Sequence, residues 1–510
     1  MIIFRIALLT ICIQGAIVAQ SLALEAEGGG LPGSLELAVG PGKLGASTAI
    51  LMSVSAGPTP LRLIDQSDPR VLQVGAESLG LSIMGYFLPP TLLFKAPSIK
   101  LPDRVRWHDA AVYFQAITLN WQGQKHLIGP ISNPVAVRFG PGRRFRDRKK
   151  PLAQARVFHQ VSKLPDGKFI VTGGGTGTLV NCPSLTSTEI YDPISDSWSA
   201  GPSMLKEHGI HQTVRLKDGR LLVIAGVNKN AYESDVCEIY DPKTNKFTLA
   251  PPLIAKRFAH HAILLDDGRV MVTGGISQLV TSNPLATLNT AEKLTEFYDP
   301  KTNKWTRGPN MNDPRAAHST IKLPDGRIMA IGGLGWTQFI IKIPTVFATT
   351  EIYDPKTNKW TRGPSMAVPR AATYPVKMSG DRWLLAGGVN QVTIANPGTP
   401  TAAVEIFDLK KMSWKQAGRL SFARALSYTI EIGKGRFMAI GGALGSVTAP
   451  TAMATTEVYD EASDKWTPGP QMTTSRATHV PMVVNGQICL IAGGSGTGSV
   501  AVASTEWYFK

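Results

Sequence analysis

The chain has 510 residues, enough for about three domains of ordinary size. Hydrophobic residues make up 43% and charged residues 18%, so it can bury a large core and is not disordered as a whole. Its 50 glycines and 36 prolines suit a turn-rich β protein and argue against helix bundles and coiled coils, while a net charge of +16 points to acidic partners such as anionic glycans, cell envelope or nucleic acid.

Arg5 is the only charged residue in positions 1–24, and a largely apolar run follows from Ile6 to Val18. Small residues come next, and cleavage is expected at Ser21-Leu22-Ala23, with Ala19 as the alternative. This pattern predicts a signal peptide over residues 1–23 and a secreted protein, extracellular or periplasmic. No later stretch reaches the 18 apolar residues that a membrane span needs, so the mature chain is expected to be soluble. Cys12 leaves with the signal, and Cys182, Cys237 and Cys489 are too few for a disulfide framework, although one pair, Cys182 with Cys237, is open. No CxxC or HExxH spacing occurs, so neither a metal nor a cofactor is expected.

Residues 24–141 contain β runs at Leu35–Val39, Ala49–Ser53, Gly80–Met84, Ala111–Asn120 and Pro134–Phe139, separated by Gly- and Pro-rich connections. They read as an N-terminal β-sandwich-like domain without a catalytic constellation.

From residue 142 to 510 the sequence repeats. The phrase running from Thr350 to Met366 (TEIYDPKTNKWTRGPSM) is nearly duplicated at Thr295–Met311, with weaker copies around Thr188, Cys237, Val404, Thr456 and Thr505. Ahead of each copy stand an Arg, a β run, a tight turn, a second β run and a glycine pair, at spacings of about 49 to 58 residues. In the second repeat His208 replaces the Arg and Ala225-Gly226 replaces the pair. Each unit reads as four strands: in the fourth, His318–Leu323, Arg327–Ile331, Thr350–Tyr353 and Lys359–Arg362. Asp-Gly between apolar runs is a hairpin signal, and Asp-Pro opens a turn. No helical pattern separates the strands, which excludes βαβ units.

The glycine pair, the Tyr and the Trp, at about 50 residues per unit, resemble the kelch repeat family. That resemblance, of the bacterial secreted kind, implies an all-β, seven-bladed kelch β-propeller with one four-stranded blade per unit. The last unit stops at Lys510 before its Trp strand, and residues 142–152 are expected to supply the missing outer strand and clasp the ring.

Strand order places the varied b-to-c and d-to-a connections on one face and the uniform short turns on the other, so recognition is expected on the loop-rich face. Candidate binding residues there are Trp336, Phe339 and Ile341, clustered in the fourth unit, and Tyr232 in the second. Arg257, Arg315, Arg370, Arg424 and Arg476 open strand a near the channel mouth, where guanidinium forks suit an acidic ligand. The competing reading pairs them, with Arg156, to the Glu that recurs on every strand c (Glu189, Glu238, Glu296, Glu351, Glu405, Glu457, Glu506) as structural ties. The recurrent His159, His211, His260, His318 and His479 are expected to pack between blades.

The function expected is a non-catalytic, monomeric propeller binding an extracellular or envelope protein or glycan, anionic in character. The alternative is a carbohydrate-active kelch enzyme of oxidase or epimerase type. The copper radical oxidases of this resemblance need a Tyr-His neighbour pair and a Tyr crosslinked to Cys, and no Tyr-His dipeptide occurs here. Secretion and buried aromatics argue against nucleic acid as the partner.

Overall fold

The computed structural model describes residues 151–508 except 179–181, 281–282, 339, 394–397, 447–449, 485–486 and 491–499; ahead of 151 it describes strand segments and Ser132. The signal-like segment 1–22, Phe339 and the Gly493-Gly494 pair lie outside the described residues. The chain divides into two compact units, one comprising Met1–Glu27, Leu35–Ile99 and Ala111–Val137, the other Gly28–Ser34, Lys100–Ala110 and Arg138–Lys510.

In the first unit a five-stranded sheet runs Lys125–Ile131, Ala111–Gln122, Ser47–Ser53, Ser82–Tyr86, with Val135–Arg138 also on the long strand. Ala49, Leu51 and Ile117 are buried together on it.

The second unit is an all-β propeller. Six four-stranded antiparallel sheets follow one another along the chain, each built from one stretch of sequence and each with its strands in the spatial order a-b-c-d. In the fourth blade these are Ser319–Lys322, Ile328–Ile331, Thr350–Asp354 and Lys359–Arg362. Strand b is buried along its whole length, because both of its faces meet neighbouring blades. Strand d is largely exposed, which is why its sequence is Lys-Trp-Thr-Arg with only Trp360 turned inward.

Turn chemistry sets the hairpins. In the c-to-d turn Asp354 accepts the Lys356 N–H at 2.8 Å, Asn358 takes a φ of +54°, and its Oδ1 accepts the Tyr353 hydroxyl at 2.9 Å. Asn tolerates this left-handed conformation better than branched or bulky residues. The apolar core lies between blades. Val214, Leu222 and Ile224 of the second blade pack with Ala262, Val270 and Tyr298 of the third, and equivalent clusters fill the following seams.

The last repeat contributes Pro481–Val484, Gln487–Leu490 and Glu506–Tyr508. The fourth strand of this sheet is Phe145–Asp147, antiparallel to the chain terminus with Phe145 opposite Tyr508 and Asp147 opposite Glu506. The expected count of seven blades is thereby corrected: six blades are each built from one repeat, and the terminal sheet is a composite that takes its fourth strand from Phe145–Asp147.

Phe145 and Tyr508 have ring centroids 5.1 Å apart and pack on Met438, Ile440 and Val458 of the sixth blade. Phe145→Ala opens a cavity at this junction and is expected to cost about 3 kcal/mol. Chemical denaturation of the full chain checks it, and an unchanged midpoint would show that the composite sheet contributes nothing to ring stability.

Candidate functional site

The b-to-c connection of the fourth blade is a second hairpin on the loop-rich face. Leu334–Gln338 pairs with Lys342–Val346, in register from Leu334 opposite Val346 to Gln338 opposite Lys342. Its base is anchored. A Cβ on Gly335 would lie 2.0 Å from the Pro314 carbonyl oxygen, so only glycine lets the strand approach this closely. Trp336 is half-buried against a cluster of Phe258, Ile276, Ala291 and Ala316, and its Nε1–H donates to the Ala291 carbonyl at 3.2 Å. Lys342 Nζ donates to the Asn289 carbonyl at 2.8 Å and sits 4.1 Å from the centre of the Trp336 ring.

The tip is free of such ties. Ile340 is 84% exposed, Ile341 69% and Ile343 47%. Tyr232, on the corresponding loop of the second blade, is 64% exposed. Trp336 is thus an anchor, while the apolar surface offered to solvent belongs to the isoleucines and Tyr232.

The arginines are elsewhere. Arg257, Arg315, Arg370, Arg424 and Arg476, expected to be available at the channel mouth, are buried to within 1% inside the blades. Each donates to a strand-c carboxylate and to backbone carbonyls inside the blade, so none is presented to a ligand. Arg370 Nη2 donates to Glu405 at 2.8 Å, Arg424 Nη2 to Glu457 at 2.8 Å, Arg476 Nη2 to Glu506 at 3.0 Å, Arg315 Nε to Glu351 at 3.0 Å, and Arg257 pairs likewise with Glu296. Arg156 does the same with Glu189 at 2.8 Å, and His208 Nε2 meets Glu238 at 3.2 Å.

Each carboxylate also accepts two backbone N–H groups from the segment that crosses between blades. For Glu405 these are Ala367 at 2.8 Å and Val368 at 3.1 Å. The guanidinium meanwhile donates to the carbonyl of the first glycine of the pair, as Arg424 Nη1 does to Gly441 at 2.7 Å. Burial lowers the pKa of Arg257, and the Glu296 carboxylate opposes that shift. The charges of each Arg–Glu pair cancel, which leaves no electropositive ring.

The glycine pair explains itself in the same unit. The second glycine donates to the carbonyl of the arginine in the next blade, for example Gly275 to Arg315 at 2.7 Å and Gly388 to Arg424 at 2.8 Å. A Cβ on the first glycine would stand 2.1 Å from that carbonyl at Gly274 and 2.4 Å at Gly387. Both members have positive φ, such as +71° and +105° at Gly387 and Gly388. In the second blade Ala225 keeps the positive φ, at +50°, and its carbonyl meets His208 Nδ1 at 2.8 Å.

Two further features had no individual sequence signal. Two residues past each arginine the backbone takes a positive φ, and successive blades bond there: Ala259 N–H to Ile210, Ala317 to Ala259, Ala372 to Ala317, Leu426 to Ala372 and Thr478 to Leu426. One residue past the histidine register, Tyr374 and Tyr428 stack with centroids 4.2 Å apart and planes 10° apart. Hydrophobic periodicity assigns strand a to the interior but not these contacts between adjacent blades.

The histidines face neighbouring blades. His211 Nε2 lies 3.1 Å from Thr172 Oγ1 of the preceding blade, and His318 Nε2 lies 2.9 Å from Thr273 Oγ1. Among the described residues no group of three or more His, Cys, Asp or Glu is placed to hold a metal ion. Cys182 and Cys237 do not form a disulfide with each other, which closes the one pairing the sequence left open. Burial pushes the Cys237 thiol up to about 12, so it is inert at neutral pH.

With this geometry in place, the comparisons with known proteins are direct. The kelch motif matches residues 165–205, 213–254, 257–312 and 323–367. Alpha-scruin of Limulus polyphemus is 28% identical over 218 residues, covering 42% of this chain and 22% of scruin. Kelch domain-containing protein 8B of Rattus norvegicus is 28% identical over 163 residues, covering 31% of this chain and 44% of that protein. The chain therefore spans less than half the length of these relatives. In three dimensions it is similar to a fungal alcohol oxidase of the AA5 family in complex with copper, with a TM-score of 0.54 and 16% identity over 71% of this chain and 75% of the oxidase. The repeated sheets with their glycine pairs and Tyr–Trp strands define a kelch β-propeller. Kelch motifs occupy residues 165–367, and the chain is similar to kelch-repeat proteins.

Removing Arg315 strands the Glu351 carboxylate in the blade. Arg315→Ala is expected to cost about 3–5 kcal/mol. Arg327→Ala, which breaks an ion pair with Asp325 at 2.7 Å on the surface, is expected to cost under about 1 kcal/mol. Urea unfolding of the two variants checks the contrast.

Stability should also fall in mild acid. Burial, aided by the Arg156 charge, pushes His159 down to about 3, burial with Arg476 does the same to His479, and burial alone takes His261 to about 4. An unfolded histidine titrates near 6.5. The folded chain thus binds fewer protons than the unfolded chain below about pH 6.5, so stability declines as pH falls toward these values. Each such histidine contributes about 1 kcal/mol per pH unit to that slope. Unfolding midpoints between pH 7 and 5 are expected to drop, and His479→Gln to flatten the slope by one proton.

Proposed function

We propose that this is a secreted, non-catalytic kelch propeller that recognises a protein or glycan partner on its loop-rich face, with the hairpin 334–346 as the central contact. One observation carries the reading: three isoleucines, Ile340, Ile341 and Ile343, are held out in solvent on a hairpin whose base is fixed by Trp336 and Lys342. A rigid loop loses little conformational freedom on binding, and exposed apolar side chains gain most by being covered. Isoleucine offers no group to sugar hydroxyls, so a protein is the partner that this tip fits better.

The same reading takes residues 1–23 as a signal peptide and 24–141 as a β-sandwich-like domain. It takes the pairing of Phe145–Asp147 with the last repeat as the clasp between the two ends of the propeller. The protein acts as a monomer.

A carbohydrate-active kelch enzyme of oxidase type is the second reading, supported by the likeness in fold to the AA5 alcohol oxidase. Against it, no Tyr-His dipeptide occurs in the sequence.

The test uses the full mature chain beside an Ile340→Ser, Ile341→Ser variant, each immobilised and exposed to envelope extract. A partner kept by the unaltered chain and lost by the equally stable variant is expected. Equal recovery from both would remove the hairpin from the site. Substrate-dependent oxygen consumption after copper loading would establish the oxidase instead.

A further inference from the structure

The turn face, opposite the hairpin, carries an asymmetry that the fold does not require. In the second, third and fourth blades the c-to-d turn reads Asp-Pro-Lys-Thr-Asn-Lys, exposing Lys243, Lys246, Lys301, Lys304, Lys356 and Lys359. None of the six forms an ion pair among the described residues. The turn's own aspartates do not neutralise them by contact, because Asp241, Asp299 and Asp354 each accept a backbone N–H at 2.8 Å.

The scaffold can be built without these lysines. The first blade makes the same turn with Asp192 accepting the Ile194 N–H at 2.8 Å and Asp196 accepting the Tyr191 hydroxyl at 2.7 Å. Its sequence there is Asp-Pro-Ile-Ser-Asp-Ser. The sixth blade does it with Asp460 and Asp464, and its turn is Asp-Glu-Ala-Ser-Asp-Lys. The Lys-Thr-Asn-Lys turn is therefore confined to three consecutive blades and forms an arc on the outer rim, bordered by the fifth blade, whose turn holds Lys410 and Lys411, the latter paired with Asp408 at 4.0 Å.

Inside that arc the face is charge-compensated. The a-to-b turns pair Arg220 with Asp218, Arg269 with Asp267 and Arg327 with Asp325 at 2.7 to 2.8 Å. The cavity of about 410 Å³ between the first two blades is lined by Asp166, Asp218 and Asp241 against Arg220 and Lys243, so it does not draw anions. Of the a-to-b turn cations in these three blades only Lys217, which donates to the Asp266 carbonyl, lacks a carboxylate partner, so the unpaired positive charge is concentrated on the rim.

The geometry points to this arc as a docking surface for an anionic polysaccharide. Lysine is a hydrated point charge that suits a diffuse polyanion more than a single forked carboxylate or phosphate. A flexible chain can follow a convex rim, whereas duplex DNA is stiff over about 150 base pairs and is costly to bend around it. The turn tyrosines are buried and bonded to their Asn partners, so no aromatic platform is displayed for bases. No exposed large apolar residue stands in these turns to enter a membrane.

The experiment measures binding of the full chain to heparin and to polygalacturonate as probes, across a salt series, with duplex DNA in parallel. The six lysines are changed to Gln in one variant. A control changes five exposed lysines outside these turns, at positions 206, 229, 256, 293 and 415. The expected result is polysaccharide binding that weakens steeply with salt and drops about tenfold or more in the arc variant, with a small change in the control. Equal losses in both variants would reduce the effect to net charge and overturn the proposal. Tighter binding of duplex DNA than of either polysaccharide would also overturn it. Matching unfolding midpoints keep misfolding from imitating a loss.

Discussion

The arginine that opens strand a is the joint on which the propeller depends. Its guanidinium is fully desolvated, and a charge in that state needs a counter-charge and hydrogen-bond acceptors at hand. The strand-c glutamate is the counter-charge, and the carbonyls beside the glycine pair are further acceptors. The arginine's own carbonyl then receives the N–H of a glycine from the preceding blade. One residue thus fixes strand a to strand c, the crossing segment to the blade, and one blade to the next. The second blade shows what the joint tolerates: histidine reaches the same carboxylate and the same carbonyl, and Ala225 accepts the left-handed backbone in place of glycine.

Apolar packing completes what this joint aligns. The clusters straddle the seams, so a blade has little core of its own and gains stability only against neighbours. That makes the end of the ring the sensitive place. The outer strand of the last sheet is Phe145–Asp147, from the segment ahead of the first blade. An uncovered strand edge exposes a row of backbone donors and acceptors, and pairing removes that liability.

The two faces of the propeller are chemically unlike because their connections are under different constraints. Short turns between adjacent strands need Asp, Asn and Gly at set positions, which makes them alike, yet leaves some exposed positions free to carry charge. The b-to-c connections are long enough to escape the repeat, and one of them projects an apolar hairpin. The neutral ring of Arg–Glu joints separates these surfaces without contributing to either.

The repeat, the kelch motif and the all-β propeller class were legible in the sequence, because period, turn residues and the glycine pair are local signals. So was the partnership of Arg with Glu, since both recur in nearly every unit. What the repeat could not reveal was the direction in which the arginines act. Position along the chain placed Arg257 and Arg315 near a channel mouth, and only the folded sheet showed them turned into the blade and paired with glutamate. Trp336 was readable as part of an apolar cluster, but its contact with Ala291, 45 residues away, was not. The strand that covers the last repeat comes from more than 300 residues earlier, a distance across which no local pattern operates. Sequence by itself determined which residues make strands and turns, because those choices are settled within a few residues. Tertiary structure decided which charges are buried, which apolar groups stay exposed and where the chain closes, because each of these depends on contacts between segments that are distant in the chain.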